Sequence, residues 1–339
     1  MILFLASSGT FTGIGHIRRS AQLATELKNR NHEVLFCLKH EFGSIESFKN
    51  YQLDSFIISR TDQIQEVLKL YPQINLIVSD LHDLQREDTE KITSGHSKVK
   101  ILALDYFDME DSHVHTIVNL YNHNVQHARP VSEKVKYLEG PSYGVLRPEF
   151  RALVQKRKSK SKQSVKRLLV SFGGSDPRQH SLSIIAVLGK AVHNKIYSVT
   201  IVIGPDFIHK AKVLDSVAKS KLPISTMENP TNIARLMYKA DLCISGSGTT
   251  ILELAALGTP AIVIPQSPAE ANFAAVFEKA GFARIAGSPE AIDIGKFQEA
   301  LVYFDNPQTL ERASALGREL CDGKGEERII HEINLLLNS

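Results

Sequence analysis

Short apolar runs alternate along this chain with longer segments in which apolar residues recur every three or four positions. The first run, residues 2–6, leads through a glycine-containing loop into such a segment. The apolar positions of that segment are Ile17, Ala21, Ala24 and Leu27. This spacing predicts one face of a helix, whereas continuous apolar runs are typical of strands covered by helices on both faces. Further strands are predicted at residues 33–38, 74–80, 99–105 and 116–121.

The second half repeats this pattern. It predicts strands at residues 167–174, 197–204, 241–246 and 260–265, helices at 179–191, 230–239, 248–257 and 270–281, and a helical tail over 289–338. Strands that alternate with helices form parallel sheets, so we predict an α/β protein with two doubly wound, Rossmann-like domains. We expect an N-terminal domain at 1–154, a basic linker at 155–167 and a C-terminal domain with the helical tail at 168–339.

Composition narrows the class of protein. A length of 339 residues suits two domains, and a net charge of +3 argues against a dedicated nucleic-acid surface. The linker carries seven Lys or Arg and no acid. A solvated linker is the favoured interpretation, with a nucleic-acid-binding tail as the alternative. Cys37, Cys243 and Cys321 lie far apart, which predicts buried reduced thiols in a cytoplasmic protein.

The apolar run at residues 2–6 is shorter than the roughly 7–15 residues of a signal-peptide core. No stretch approaches the roughly 18 apolar residues that a membrane span needs. We therefore expect a cytoplasmic protein with no integral membrane segment.

Candidate chemistry lies in glycine-rich loops that follow predicted strands. In "TFTGIGHIRR", residues 10–19, Gly13 and Gly15 allow a ligand to approach the backbone, and His16 falls at the first turn of the next helix. A helix N-terminus disfavours a cationic imidazole, so we expect a neutral His16 that can act as a base. The G-x-G-H spacing is not a full dinucleotide fingerprint, and an ordinary turn with a surface histidine is the alternative.

Two similar loops occur in the second half. "SFGGSDPRQ", residues 171–179, offers Ser175 and Asp176 to cap the next helix. "SGSGTTILELAALGTP", residues 245–260, combines glycines with hydroxyls at a helix start, which is a site suited to a diphosphate without a metal ion. Glu253 lies one turn further, where it can accept hydrogen bonds from ribose. Three such loops on two facing domains predict a nucleotide-diphosphate cleft.

These stretches resemble the glycosyltransferase-B superfamily, in which two Rossmann-like domains face each other across a nucleotide-sugar cleft. Within it, the chain is most similar to the UDP-2,4-diacetamido-2,4,6-trideoxy-β-L-altropyranose hydrolases of pseudaminic acid biosynthesis. The motifs that carry the resemblance are "GIGHIRR" (13–19), "GPSYGVLRPEF" (140–150), "VSFGGSDP" (170–177), "SGSGTTILELAALGTPAIVIP" (245–265) and "DGKGEERI" (322–329). The third and fourth are shared with MurG-type N-acetylglucosaminyltransferases.

The resemblance implies a role for each matching position. His16 is then the catalytic residue. The implied substrate-binding residues are Gly13, Gly15, Arg18, His82, Tyr143, Arg147, Gln266 and Asn272. The implied nucleotide-binding residues are Gly173, Gly174, Ser175, Met227, Glu228, Gly246, Ser247, Gly248, Thr249, Thr250 and Glu253. No metal and no other cofactor is implied, because helix N-termini at Gly174 and Gly248 would stabilise the diphosphate.

The chain departs from that family in the loops that touch the sugar. The usual Asp-x-Tyr after the third N-terminal strand is replaced here by "SDLHDL", with His82 in that neighbourhood, and the acidic pair of the next strand is reduced to "LDYFDMED". The expected Asn-Gln after "PAIVIP" is replaced by "QSPAEANFA", with Glu270 and Asn272. The reaction type is thus better supported than the identity of the sugar.

Three functions remain open. The favoured one is a metal-independent, inverting UDP-sugar hydrolase, acting as a monomer or weak homodimer. A MurG-like glycosyltransferase and a non-catalytic nucleotide-sugar binder are the alternatives. A histidine-rich stretch (His113, His115, His123 and His127) allows a zinc or manganese site, but a solvated surface is the favoured interpretation.

Overall fold

The computed structural model describes residues 1–8, 15–40, 48, 51–81, 83–108, 110–120, 135–155, 165, 167–191 and 198–339. The chain divides into two compact units. Unit 1 comprises Met1–Arg147 and Lys324–Ser339, and unit 2 comprises Pro148–Gly323. The division differs from the one predicted at residue 154, because the last helix packs in unit 1 and the helix at Pro148–Gln155 packs in unit 2. Most of the 155–167 linker lies outside the described residues.

Unit 1 contains a parallel sheet of seven strands in the order β3-β2-β1-β4-β5-β6-β7. The strands are β1 (Ile2–Ser8), β2 (Val34–His40), β3 (Ser55–Ile58), β4 (Leu76–Asp80), β5 (Lys100–Leu104), β6 (Thr116–Asn119) and β7 (Lys136–Glu139). The described helices that precede the unit boundary are α1 (Gly15–Asn29), α2 (Ile64–Leu70) and α3 (Arg86–Gly95). Alternate residues of β1 enter separate apolar cores on the two faces of the sheet, which explains why the strand is continuously apolar.

Unit 2 contains a parallel sheet of six strands in the order β10-β9-β8-β11-β12-β13. The strands are β8 (Arg167–Ser171), β9 (Ser198–Ile203), β10 (Ile224–Glu228), β11 (Leu242–Ser245), β12 (Ala261–Val263) and β13 (Ala283–Ile285). Its helices within the described part are α4 (Pro148–Gln155), α5 (His180–Ala191), α6 (Lys210–Lys219), α7 (Ile233–Lys239), α8 (Thr249–Leu257), α9 (Pro268–Lys279), α10 (Ile294–Asp305) and α11 (Pro307–Leu320). The predicted doubly wound architecture is confirmed for both units.

The strand predictions succeed in the sheet interiors and fail at the sheet edges. All nine predicted strands are present, with ends shifted by a few residues. The strands that the sequence pattern did not predict are β3, β7, β10 and β13, which are the edge strands of the two sheets. Among the described residues, no helix is both long and apolar enough to cross a membrane.

Helix α12 (Gly325–Asn338) completes unit 1. It buries Ile329, Ile330 and Ile333 in the core that also contains α1, and burying each such side chain stabilises the fold by about 1.5–3 kcal/mol. Its first turn interlocks with the segment that follows β7, because Arg328 donates a hydrogen bond of 2.7 Å to the carbonyl of Ser142. The "GPSYG" and "DGKGEER" stretches therefore pack against each other.

The substitution Gly325→Ala tests this interlock. An added Cβ would lie 2.3 Å from the carbonyl oxygen of Gly144, so the backbone must shift. We expect unfolding of unit 1 to become easier by about 1–3 kcal/mol, the usual cost of overpacking. Gly189→Ala is the control, since its Cβ meets nothing within 4 Å and alanine favours a helix. Calorimetry should show a lowered transition for Gly325→Ala only; equal transition temperatures in the variant and the unmutated protein would contradict the packing.

Candidate active site

His16 lies where the sequence predicts it, at the second residue of α1. Gly13 lies outside the described residues, and Gly15 is the first residue of the helix. Helix α1 connects β1 to β2 on one side of β1, whereas β4 pairs with β1 on the other side. This reversal of strand order is the topological switch point, at which α/β proteins bind ligands beyond the carboxyl ends of their strands.

The His16 side chain is paired with Asp80, the last residue of β4. Nδ1 of His16 lies 2.7 Å from Oδ1 of Asp80, which is fully buried. Burial by itself raises the pKa of Asp80, but the charge of Arg19 and the contact with His16 together hold it well below its usual range. Because an ionised carboxylate only accepts hydrogen bonds, the 2.7 Å contact places a hydrogen on Nδ1, so that Nε2 is the ring nitrogen that can act as a base.

Arg19 completes the environment of Asp80. Its Nε donates to Oδ2 of Asp80 over 2.6 Å, and one terminal nitrogen donates to Oδ1. Its other terminal nitrogen forms an ion pair with Asp105, at 2.6 Å from Oδ2. The hydroxyl of Ser20 donates to Oδ2 of Asp80 over 2.8 Å. The buried carboxylate thus has charge-assisted partners on both oxygens, as a buried charge requires.

Sequence reasoning missed Arg19 and Asp80. It named Arg18 instead, which is exposed on α1, whereas Arg19 is buried. A helical signal could have found Arg19, since residues three apart lie on the same face of a helix and Arg19 follows His16 by three. Asp80 gave a weaker signal, the acid that ends the apolar run of β4 in "LIVSD". The role of Arg18 in substrate binding stays a prediction.

The remaining candidates of unit 1 are only partly located. His82 lies outside the described residues. Tyr143 ends the short 3-10 turn Pro141–Tyr143, which packs on α12, and Arg147 is the last residue of the first segment of unit 1. The described geometry gives Tyr143 a packing role, and substrate contacts by either residue remain a prediction.

The first glycine loop of unit 2 follows β8, beside the switch point between β8 and β11. Gly173 adopts a φ of +77°, and the carbonyl of Gly174 accepts a 2.9 Å hydrogen bond from the backbone of Asp206. Asp176 caps α5 as the sequence predicts, because its carboxylate accepts the backbone N–H groups of His180 and Ser181 at 2.9 Å each. The predicted helix N-terminus at Gly174 is wrong: α5 begins at His180, and the Asp176 carboxylate already occupies its first N–H groups.

The second glycine loop, residues 246–248, is held by a carboxylate from α9. Oε2 of Glu270 accepts the backbone N–H of Ser247 at 3.0 Å and that of Gln266 at 2.9 Å. The Ser247 hydroxyl donates to the backbone carbonyl of Glu270 over 2.7 Å. The backbone N–H and the hydroxyl of Ser247 are therefore both hydrogen-bonded to Glu270. The predicted helix start at Gly248 is confirmed, since α8 begins at Thr249 and Gly248 provides no side-chain cap.

Of the two loops in unit 2, only the second leads directly into a helix N-terminus. Its first turn carries no acidic residue, so Thr249 and Thr250 offer backbone N–H groups at the positive end of the helix dipole. Ser175 is exposed in the first loop, and Glu253 is buried one turn into α8. The sequence prediction of a phosphate-binding helix start is therefore compatible with the geometry at Gly248 but not at Gly174.

The other predicted residues of unit 2 lie at the end of β10, after β12 and on α9. Met227 and Glu228 end the edge strand β10 and are exposed, and Glu228 pairs with Lys210 at 2.5 Å. Gln266 follows β12 and donates to the carbonyl of Phe172 over 3.5 Å. Asn272 is exposed on α9. Their substrate contacts stay predictions.

No cluster of three or more metal-ligating side chains occurs among the residues that the structure describes. His113 contacts Asp111 at 3.1 Å, and His123 and His127 lie outside the described residues. Burial, and after it the charge of Lys100, lowers the pKa of His115.

Comparison with known proteins shows which families and structures the chain resembles. Residues 151–315 match the model of the glycosyltransferase family 28 C-terminal domain. The chain is 25% identical over 333 residues to the spore coat polysaccharide biosynthesis protein SpsG of Bacillus subtilis, a match that covers 96% of this chain and 95% of SpsG. It is 27% identical over 260 residues to the UDP-2,4-diacetamido-2,4,6-trideoxy-β-L-altropyranose hydrolase of Campylobacter jejuni, covering 74% of this chain and 86% of the hydrolase.

A further relative is an uncharacterized protein of Methanocaldococcus jannaschii, 27% identical over 275 residues. That match covers 78% of this chain but 56% of the relative, so the chain matches little more than half of its length.

Solved structures agree on the fold. MurG of Acinetobacter baumannii superposes with a TM-score of 0.72 at 12% identity, covering 100% of this chain and 99% of MurG. The Anabaena protein HepE, solved in complex with UDP, superposes with a TM-score of 0.62 at 13% identity and covers 98% of this chain and 99% of HepE. This chain therefore has a GT-B-like fold of two parallel-sheet α/β units, as MurG has, and its residues 151–315 resemble the glycosyltransferase family 28 C-terminal domain.

Proposed function

We propose that this protein is a metal-independent nucleotide-sugar hydrolase that releases UDP and a free deoxy-acetamido sugar with inversion at the anomeric carbon. The observation that carries the proposal is the His16–Asp80 pair, in which an ionised, buried carboxylate holds Nδ1 and leaves Nε2 as a base. The similarity to the Campylobacter jejuni hydrolase supports water as the acceptor. A place in nonulosonic acid biosynthesis, as for that relative, is part of the proposal.

The two units divide the work in this proposal. Unit 2 binds UDP, with the N–H groups of Thr249 and Thr250 directed to the diphosphate and Glu253 to the ribose. In unit 1, Nε2 of His16 accepts a proton from water while the water oxygen bonds to the anomeric carbon. The bond between that carbon and the phosphate oxygen breaks, its electron pair leaves with UDP, and single displacement inverts the configuration. The positive end of the α8 dipole stabilises the charge that develops on the leaving group.

Asp80 acts through His16. As the residue hydrogen-bonded to Nδ1, it fixes the tautomer and the ring orientation and stabilises the imidazolium that forms. His16 is the only group of this set that contacts the reacting water in the proposal, and its side chain is 18% exposed, compared with 0% for Asp80.

A MurG-like glycosyltransferase is the second candidate. The match to the glycosyltransferase family 28 C-terminal domain favours it, and the same base would deprotonate a sugar or lipid hydroxyl instead of water. One fold serves both reactions, so the presence or absence of acceptor-independent turnover distinguishes them.

The direct test is a panel of UDP-sugars, followed by NMR in excess chelator with no acceptor present. We expect UDP and a free sugar of inverted configuration to accumulate from a UDP-activated acetamido-deoxy sugar at an unchanged rate with chelator. Saturable binding without release would favour the glycosyltransferase or the non-catalytic nucleotide-sugar binder. Release that stops with chelator and returns with Mg²⁺ or Mn²⁺ would contradict a metal-independent mechanism.

Replacing the proposed base tests the role of His16. We expect His16→Gln to lower kcat by roughly 10²–10⁴, the usual contribution of a general base, while UDP affinity stays within about twofold because unit 2 binds the nucleotide. His32→Gln is the control, since His32 lies in the turn before β2, at the opposite edge of the sheet. Turnover by His16→Gln at the rate of His32→Gln would refute the assignment.

A pair of substitutions at Glu270 tests the proposed nucleotide loop. Glu270→Ala removes the acceptor for the N–H groups of Ser247 and Gln266, so we expect the loop to loosen and UDP affinity to fall about tenfold or more. Glu270→Gln keeps a carbonyl acceptor in the same place, and calorimetric titration should show an affinity close to that of the unmutated protein. If Glu270→Ala bound UDP as tightly as the unmutated protein does, the loop would not hold the nucleotide.

A further inference from the structure

Arg19 is the bridge between two carboxylates at the carboxyl edge of the unit 1 sheet. Its side chain is 5% exposed, and the carboxylates of Asp80 and Asp105 are 0% and 6% exposed. Nε and one terminal nitrogen engage both oxygens of Asp80, and the other terminal nitrogen engages Asp105. Two hydrogen bonds to Asp80 and one ion-pair contact with Asp105 thus orient the planar guanidinium.

Asp105 is itself firmly placed. It follows β5 in a left-handed conformation with a φ of +50°, which few non-glycine residues adopt. Its backbone N–H donates to the carbonyl of Val118 over 2.9 Å, and its Oδ1 accepts the N–H of Leu120 over 2.8 Å. Asp105 is therefore hydrogen-bonded to the end of the neighbouring strand β6, and its carboxylate has a defined position for the ion pair with Arg19.

The orientation of Arg19 affects His16 directly. The terminal nitrogen that donates to Asp80 also lies 3.0 Å from Nδ1 of His16. If one of the two hydrogens of that nitrogen were directed at Nδ1, the imidazole would carry its own hydrogen on Nε2 and could not accept a proton there. The pull of Asp105 on the opposite terminal nitrogen keeps the guanidinium aligned with Asp80 instead, so that Nδ1 donates to Asp80.

We propose that Asp105 and Arg19 are positioning residues that select the tautomer of His16, by holding the guanidinium in the orientation in which it donates to the Asp80 carboxylate. Their importance for turnover rests on the proposed function, in which Nε2 is the base. Their effect on the tautomer does not, because it exists in the substrate-free protein.

The test is the tautomeric state of His16 in the full-length, substrate-free protein. Long-range ¹H–¹⁵N correlation spectra of histidine-labelled protein distinguish hydrogen on Nδ1 from hydrogen on Nε2, and His16→Gln assigns the signal. We expect the Nδ1–H form in the unmutated protein and a measurable share of Nε2–H in Asp105→Asn, which can still accept from Leu120 but no longer attracts Arg19 by charge. In the UDP-release assay we expect kcat to fall roughly 10–100-fold with KM nearly unchanged, the effect usual for removing a group that orients a functional histidine.

Asp108→Asn is the matched control. Asp108 forms a two-point pair with Arg86 at the surface of the same unit, so its loss removes an aspartate–arginine pair without touching His16. We expect its tautomer and kcat to equal those of the unmutated protein. Arg19→Lys, which keeps the charge but not the three-point geometry, gives a second measurement if Asp105→Asn does not fold.

Each outcome is decisive. An unchanged Nδ1–H signal in Asp105→Asn, or in Arg19→Lys where that variant is needed, would overturn the inference. A shifted tautomer in a protein whose unmutated form releases no UDP would uphold the inference and refute the proposed hydrolase. A shifted tautomer with unchanged kcat would overturn the importance of these residues for turnover.

Discussion

The negative charge of a carboxylate without access to water needs cationic or hydrogen-bonding partners beside it, and at the candidate active site of unit 1 this carboxylate is Asp80. Removing one partner of a buried ion pair costs about 3–5 kcal/mol, so Asp80 and Arg19 hold each other in place. Because Arg19 lies on α1, the pair also fixes that helix against β4. His16 is one turn before Arg19 on the same helix, and its contact with Asp80 follows from this arrangement. The geometry of the candidate active site is thus a consequence of burying one charge.

In unit 2, carboxylate side chains of the protein accept hydrogen bonds from backbone N–H groups at or next to the two glycine loops. Asp176 accepts the first N–H groups of α5, and Glu270 accepts N–H groups of the loop before α8. Each carboxylate takes donors that a phosphate group would otherwise use. The first turn of α8 is different, because Thr249 and Thr250 begin that helix without an acidic residue in the turn, and the proposed diphosphate site is placed there.

Residues of two of the sequence motifs have a structural role in packing the C-terminal helix α12. "GPSYG" and "DGKGEER" lie far apart in sequence, yet Gly325 fits against Gly144 with no space for a side chain, and Arg328 binds the Ser142 carbonyl. Glu326 is buried beside Gln22 of α1, which also donates to the carbonyl of Leu146 over 2.5 Å. The packing of these stretches closes the first unit with its last helix.

By itself the sequence determined the interior of both sheets and the place of His16. Central strands such as β1 and β8 are buried on both faces, so their apolar runs need no tertiary context to be recognised. The edge strands β3, β7, β10 and β13 are partly exposed, and their mixed patterns resemble those of loops. His16 was predictable because a glycine loop between a strand and a helix is a local feature.

Only the tertiary structure decided what surrounds His16. Asp80 is 64 positions away in sequence, and only the pairing of β1 with β4 brings it to α1. Because of the same pairing, Arg19 contacts the buried carboxylate of Asp80, whereas its neighbour Arg18 is exposed to solvent. Local patterns encode which elements form, whereas charge compensation between distant segments sets which side chains meet.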